Sequence, residues 1–108
     1  MIVRTCVDAD LRAWHTDPHL DEGRHEHVWN IQLVFEREAP EDTPLEGLAA
    51  FDARCPRVAL VQVLEQYQGR DLPWWSGEAL ARAMLCIGTA DPIGCIVTRP
   101  GYRAEVWR

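Results

Sequence analysis

The stretch Glu22-Gly23-Arg24-His25-Glu26-His27-Val28-Trp29-Asn30-Ile31-Gln32-Leu33-Val34-Phe35 decides how the rest of the chain is read. As a strand its side chains alternate with period 2, so His25, His27, Trp29, Ile31, Leu33 and Phe35 fall on one face. The apolar run from Trp29 to Phe35 turns that face towards a core. Two imidazoles two residues apart on such a face can grip a single metal ion from a rigid platform. His15 lies upstream at the end of a strand-like segment of its own. A hairpin between the two segments would bring all three histidines to one end of a sheet. Three histidine nitrogens with one position left open form the ligand set of a catalytic zinc site. An HxH pair also suits polar residues at the wet end of a strand, with no ion involved. Burial favours the metal, because a cluster of buried imidazoles needs partners and one cation serves all three.

The bulk composition narrows the classes. The chain has 108 residues, read as one domain over 1–108, and folding at that size removes roughly 65% of the unfolded surface from water. Its 47% hydrophobic and 26% charged content is that of an ordinary soluble globular protein. A formal net charge of −6 with no Lys/Arg cluster argues against a nucleic-acid partner held by phosphate neutralisation. No apolar run is long enough to span a bilayer, and no basic segment followed by an apolar one opens the chain. Cys6, Cys55, Cys86 and Cys95 form no C-x-x-C pair and sit in apolar segments. They read as reduced core cysteines of a cytoplasmic protein, not as a disulfide framework.

Taken in order, residues 2–15 read as a first strand with a bulge near Asp8-Ala9-Asp10, and 25–37 as a second. Thr16 to Asp21 is a turn-rich connection. Thr43-Pro44-Leu45-Glu46 carries a capping-box pattern with Pro at the first helical position. Leu60, Val63, Leu64 and Tyr67 have the spacing of an amphipathic helix, with Pro56 suited to its first turn and Gly69 to its end. The β-branched content of that segment keeps a strand open as the alternative. Ser76 is an N-cap for a clearer helix, with Glu78 in its first turn, a stripe of Leu80, Ala83, Met84 and Ile87, and Gly88 to close it. Strands over Ile93–Thr98 and Tyr102–Trp107 follow, joined by Arg99-Pro100-Gly101. The ββααββ order predicts an α+β domain, an antiparallel sheet with two helices on one face.

This order and its motifs resemble the 6-pyruvoyltetrahydropterin synthase and 6-carboxytetrahydropterin synthase family, whose fold is the T-fold. Leu11-Arg12-Ala13-Trp14-His15 is similar to the family's apolar-x-Ala-Ala-His segment. His25-Glu26-His27-Val28-Trp29-Asn30 is similar to its His-Gly-His followed by Asn and an aromatic residue, with Glu26 for the central Gly. Trp75-Ser76-Gly77-Glu78-Ala79-Leu80-Ala81 looks like its Pro-Thr-x-Glu-Asn-Leu-Ala. The resemblance implies zinc on His15, His25 and His27, a homo-oligomer of subunits joined edge to edge in a ring, and sites between subunits. It implies a pterin-like small-molecule substrate in folate or queuosine biosynthesis.

The catalytic positions depart from the family. Asp21 stands where most members have Cys, while Glu22 matches a branch with Glu-x-x-His-Gly-His that cuts the dihydroneopterin triphosphate side chain. Glu22 equally suits one more acid in an acidic turn. The family's Leu-Asp-His relay aligns with Leu64-Glu65-Gln66, where Glu65 can replace the Asp but Gln66 cannot pass a proton. The carboxylate that anchors the pterin falls near Thr98, and a hydroxyl cannot make the same two-point contact.

The sequence supports three readings. One is a zinc-dependent lyase of the 6-pyruvoyltetrahydropterin synthase type acting on a dihydropterin side chain, with Glu22 and Glu65 catalytic and Glu78, Thr98 and Glu105 around the substrate. Another is a T-fold binding or assembly module without catalysis, and the third a small α+β interaction domain with chance histidines. The first two are separated by a carboxylate pointing into the site, for which Glu78 and Glu105 are the candidates. Zinc content separates the third from both.

Overall fold

The computed structural model describes residues 1–17, 23–38, 40–41, 54–87 and 91–108. Asp21, Glu22, the Thr43–Glu46 pattern and Gly88 lie outside them. Among the described residues the elements are β1 (Ile2–Thr16), β2 (Arg24–Glu38), α1 (Arg54–Glu65), α2 (Gly77–Ile87), β3 (Gly94–Arg99) and β4 (Tyr102–Trp107). The strands form one antiparallel sheet in the order β1-β2-β3-β4. The ββααββ architecture expected from the sequence is the one observed.

β1 and β2 make a long ribbon in unbroken register from Ile2↔Glu38 to Thr16↔Arg24. The bulge expected near Asp8-Ala9-Asp10 is not there. Asp8 pairs with Gln32, Ala9 with Ile31 and Asp10 with Asn30, and no extra residue interrupts the ladder. Asn30 Nδ2 donates to the carboxylates of both Asp8 and Asp10, at 2.9 and 3.0 Å. A cross-strand partner on the same face thus absorbs the two acids that suggested an interruption.

Register sorts the side chains into two faces. Val7, Leu11 and Ala13 of β1, Trp29, Ile31, Leu33 and Phe35 of β2, and Cys95 and Val97 of β3 share the buried face. Leu60 and Leu64 of α1 and Leu80, Ala81, Met84 and Leu85 of α2 complete the core. α1 packs against β1, and α2 against β3 and β4. Truncating a fully buried residue here, Leu64 or Met84, should cost about 2–5 kcal/mol.

Both helices start as the sequence predicts. Pro56 lies in the first turn of α1. Ser76 caps α2, its Oγ accepting the backbone N–H of Ala79 at 3.1 Å. α1 stops at Glu65, earlier than its apolar stripe suggests, because the chain tightens: the N–H of Tyr67 donates to the Leu64 carbonyl at 2.9 Å. Gly69 then takes a φ of +70, which favours glycine, and its N–H donates to the Arg12 carbonyl.

From there the chain runs along the outer edge of β1. Trp14 donates to the Arg70 carbonyl at 2.8 Å and accepts from Leu72 at 2.7 Å, and the Gln68 amide bridges Asp10 and Arg12. This covered stretch of edge ends next to His15.

Candidate metal centre

The hairpin register places the histidines. His15 is the direct cross-strand partner of His25, and His27 pairs with Ala13, one step along the same face. All three lie on the core side, at the end of the ribbon beyond Trp29. His15 is 5% exposed, and His25 and His27 are half-buried. Ring centroids are 4.4 Å apart for His15 and His25, 5.0 Å for His15 and His27, and 4.6 Å for His25 and His27. One nitrogen from each ring can be chosen so that all three lie within 4.8 Å of one another.

The hydrogen bonds to the rings set their tautomers. His15 Nδ1 is 2.9 Å from the Trp75 carbonyl, and His25 Nδ1 is 2.9 Å from the Gly23 carbonyl. A carbonyl only accepts, so both Nδ1 atoms carry the proton. In the neutral rings both Nε2 atoms are then lone pairs, yet they face each other at 2.8 Å. Two lone pairs at that separation repel unless a cation lies between them. A shared proton is one answer, but burial lowers the His15 pKa from its ordinary 6.5, and the Trp75 carbonyl offsets this only in part. A metal ion is the other. Backbone carbonyls on Nδ1 are the outer partners that metal-bound histidines use to fix ring orientation.

The donor set can therefore hold a metal ion, and its three imidazoles are ligands of a type that zinc accepts. Zinc–nitrogen bonds of ~2.0–2.1 Å in a tetrahedron put nitrogens about 3.3 Å apart, so the His15–His25 pair needs to open by about 0.5 Å.

A cavity of about 210 Å³ adjoins the histidines, lined by His15, Asp17, Trp29, Trp75, Ser76, Gly77, Glu78, Arg99 and Tyr102. Its walls come from the site end of β1 and β2, the start of α2, and the β3–β4 hairpin. Trp29 is shared: its ring centroid is 5.3 Å from those of His15 and His27, and 6.1 Å from Tyr102. The Arg99 guanidinium lies over both aromatics, 5.2 Å from the Trp29 centroid and 4.9 Å from that of Tyr102. Pro100-Gly101, with Gly101 at φ +76, fits a type II turn that returns the chain so that Arg99 pairs with Tyr102.

The structure gathers some of the candidate residues and not others. His15, His25 and His27 meet, and Glu78 lines the adjoining cavity from the first turn of α2. Thr98 lies on the other face of β3 from Cys95, Val97 and Arg99, opposite Arg103. Glu105 shares that open face, where Arg103 and then the Trp107 indole lower its pKa by hydrogen bonding. Glu65 is exposed at the end of α1 and does not line the cavity. Glu22 lies outside the described residues. In the sequence Arg99 reads only as part of the Arg99-Pro100-Gly101 turn. Period-2 phase from Cys95 and Val97 is the signal that puts it on the site face.

The four-stranded antiparallel sheet with two helices on one face is the T-fold. The chain superposes on the solved structure of 6-pyruvoyl tetrahydropterin synthase from Caenorhabditis elegans with a TM-score of 0.73. The match covers 100% of this chain and 96% of that one, at 12% identity, a level at which likeness establishes the fold alone. No protein-family model and no curated protein matches the chain. Among the described residues no helix is long and apolar enough to cross a membrane.

Proposed function

We propose that the protein is a zinc-dependent enzyme of the pterin type, acting on the side chain of a dihydropterin such as dihydroneopterin triphosphate. The observation that carries this reading is the pair of Nε2 atoms of His15 and His25, 2.8 Å apart with both Nδ1–H groups committed to carbonyls, beside a cavity large enough for a heterocycle. His15, His25 and His27 would hold the ion, which when bound polarises an oxygen of the substrate side chain. Trp75 and Gly23 keep the two rings oriented through their carbonyls. Trp29 and Tyr102 exclude water and offer flat apolar surface to a ring. Glu78 lines the cavity and supports the enzyme reading, as a carboxylate able to take the paired N–H donors of an aminopyrimidinone in place of Thr98. Glu22, three residues before His25 in the chain, is the proposed general base.

The exposed position of Glu65 favours a second reading, a binding module with the same metal and cavity but no proton relay. Metal analysis followed by incubation with dihydroneopterin triphosphate and product identification separates the two. Zinc with a cleaved side chain supports the enzyme. Zinc without turnover supports the module.

A further inference from the structure

The cavity beside the histidines has two carboxylates in its lining, Asp17 and Glu78, and still leaves two buried donors without an acceptor. Arg99 lines it and, among the described residues, has no ion pair, and its buried Nε has no hydrogen-bond partner. Trp29 is 1% exposed, lines the same cavity, and its Nε1–H likewise has no acceptor. Buried donors of folded proteins are almost always satisfied, and two exceptions among the described residues of one cavity suit an acceptor supplied by a ligand. The guanidinium is also preorganised. It sits over the Trp29 and Tyr102 rings, and Tyr102 is in turn held against the start of α2, where Gly77 leaves no room even for a Cβ. An arginine fixed in this way presents its planar fork to a two-oxygen anion.

We propose that Arg99 is the anion-recognising residue of this cavity, which takes a small planar ligand bearing a carboxylate or phosphate group. The anion meets Arg99, and the ring lies along Trp29 towards the histidines. The inference deepens the reading above by naming the charge of the ligand, and it rests on that reading only for the ring, not for the metal. A carboxylate anchor like the family's, whose position falls near Thr98 in this chain, would select a neutral donor edge, whereas Arg99 selects charge.

Nicotinate and nicotinamide form a matched pair, nearly equal in shape and differing in charge. Their binding to the protein is measured by quenching of tryptophan fluorescence, with phenyl phosphate as the phosphate arm. Wild type should bind nicotinate about tenfold or more tightly than nicotinamide, the range expected of charge-assisted hydrogen bonds. Arg99→Gln should abolish that preference, and Arg99→Lys should keep part of it, with circular dichroism checking that both variants fold. The preference should persist in metal-free protein, where a carboxylate cannot be ligating zinc, so that failure of the metal reading leaves this test intact. Phenyl phosphate binding more tightly than nicotinate, with the same dependence on Arg99, makes the source a phosphate ester and supports Arg99 equally. Equal binding of nicotinate and nicotinamide to wild type, or an undiminished preference in Arg99→Gln, overturns the proposal.

Discussion

His15 and His25 are direct partners across the β1–β2 hairpin, and their Nε2 atoms stand 2.8 Å apart while each Nδ1–H is held by a backbone carbonyl. Register, not loop geometry, makes this contact. A slip of one residue would send one histidine to the open face and dissolve the cluster.

The first prediction concerns pH. Burial lowers the His15 pKa from 6.5, so the folded chain holds this ring neutral where the unfolded chain protonates it. The unfolded state then binds more protons as pH falls through 6.5, and metal-free protein should lose stability over that range while staying flat above it. Urea unfolding midpoints at pH 7.5, 6.5 and 5.5 measure this, with His15→Asn expected to flatten the slope. A midpoint that rises on acidification contradicts it.

A second prediction concerns Gly77. A Cβ there would overlap the Tyr102 ring, whose edge forms a cavity wall. Gly77→Ala should therefore displace Tyr102 and cost about 1–3 kcal/mol through overpacking. Thermal unfolding should report a midpoint lower by several degrees, and binding in the cavity should weaken with it. An unchanged midpoint would mean that Tyr102 moves aside freely.

Thiol reactivity checks the placement of β3. Burial pushes the Cys95 thiol up to about 12, while Cys6 and Cys86 are exposed and not the core cysteines their apolar neighbours suggest. Alkylation of native protein at pH 8 should label Cys6 and Cys86 and spare Cys95 until denaturant is added. Mass spectrometry after digestion reads this directly. Early labelling of Cys95 would put β3 outside the core.

Glu22 is the remaining catalytic proposal. Removing a positioned general base costs about 10²–10⁴-fold in rate. Glu22→Gln should keep the metal and lose nearly all cleavage of a dihydropterin side chain, and Asp21→Asn should be milder. Equal activity in wild type and Glu22→Gln would remove Glu22 from the mechanism.

Most of the fold was legible in the sequence, because its strong signals are local. The alternation from His25 to Phe35 names the buried face, and Ser76 marks the start of α2. The histidine cluster was legible for the same reason, since period 2 and one hairpin suffice to bring His15 to His25 and His27. β3 was harder. Its run Cys95-Ile96-Val97 is apolar at every position and all three are buried, so alternation does not tell which phase faces the helices. Reading that phase from a resemblance put Thr98 in the site, whereas pairing with β2 and β4 puts Arg99 there. The cover on β1 by residues 69–72 was illegible for another reason. Backbone hydrogen bonds to Arg12 and Trp14 leave no signature in side-chain type.

The central claim is the metal centre, and metal analysis of the purified protein tests it most directly. The account predicts one zinc per chain, retained through dialysis at pH 7.5 and lost from the double variant His25→Ala/His27→Ala, whose circular dichroism still shows the sheet. A wild type that purifies without zinc and does not take it up on addition, or a double variant that keeps it, would contradict the account.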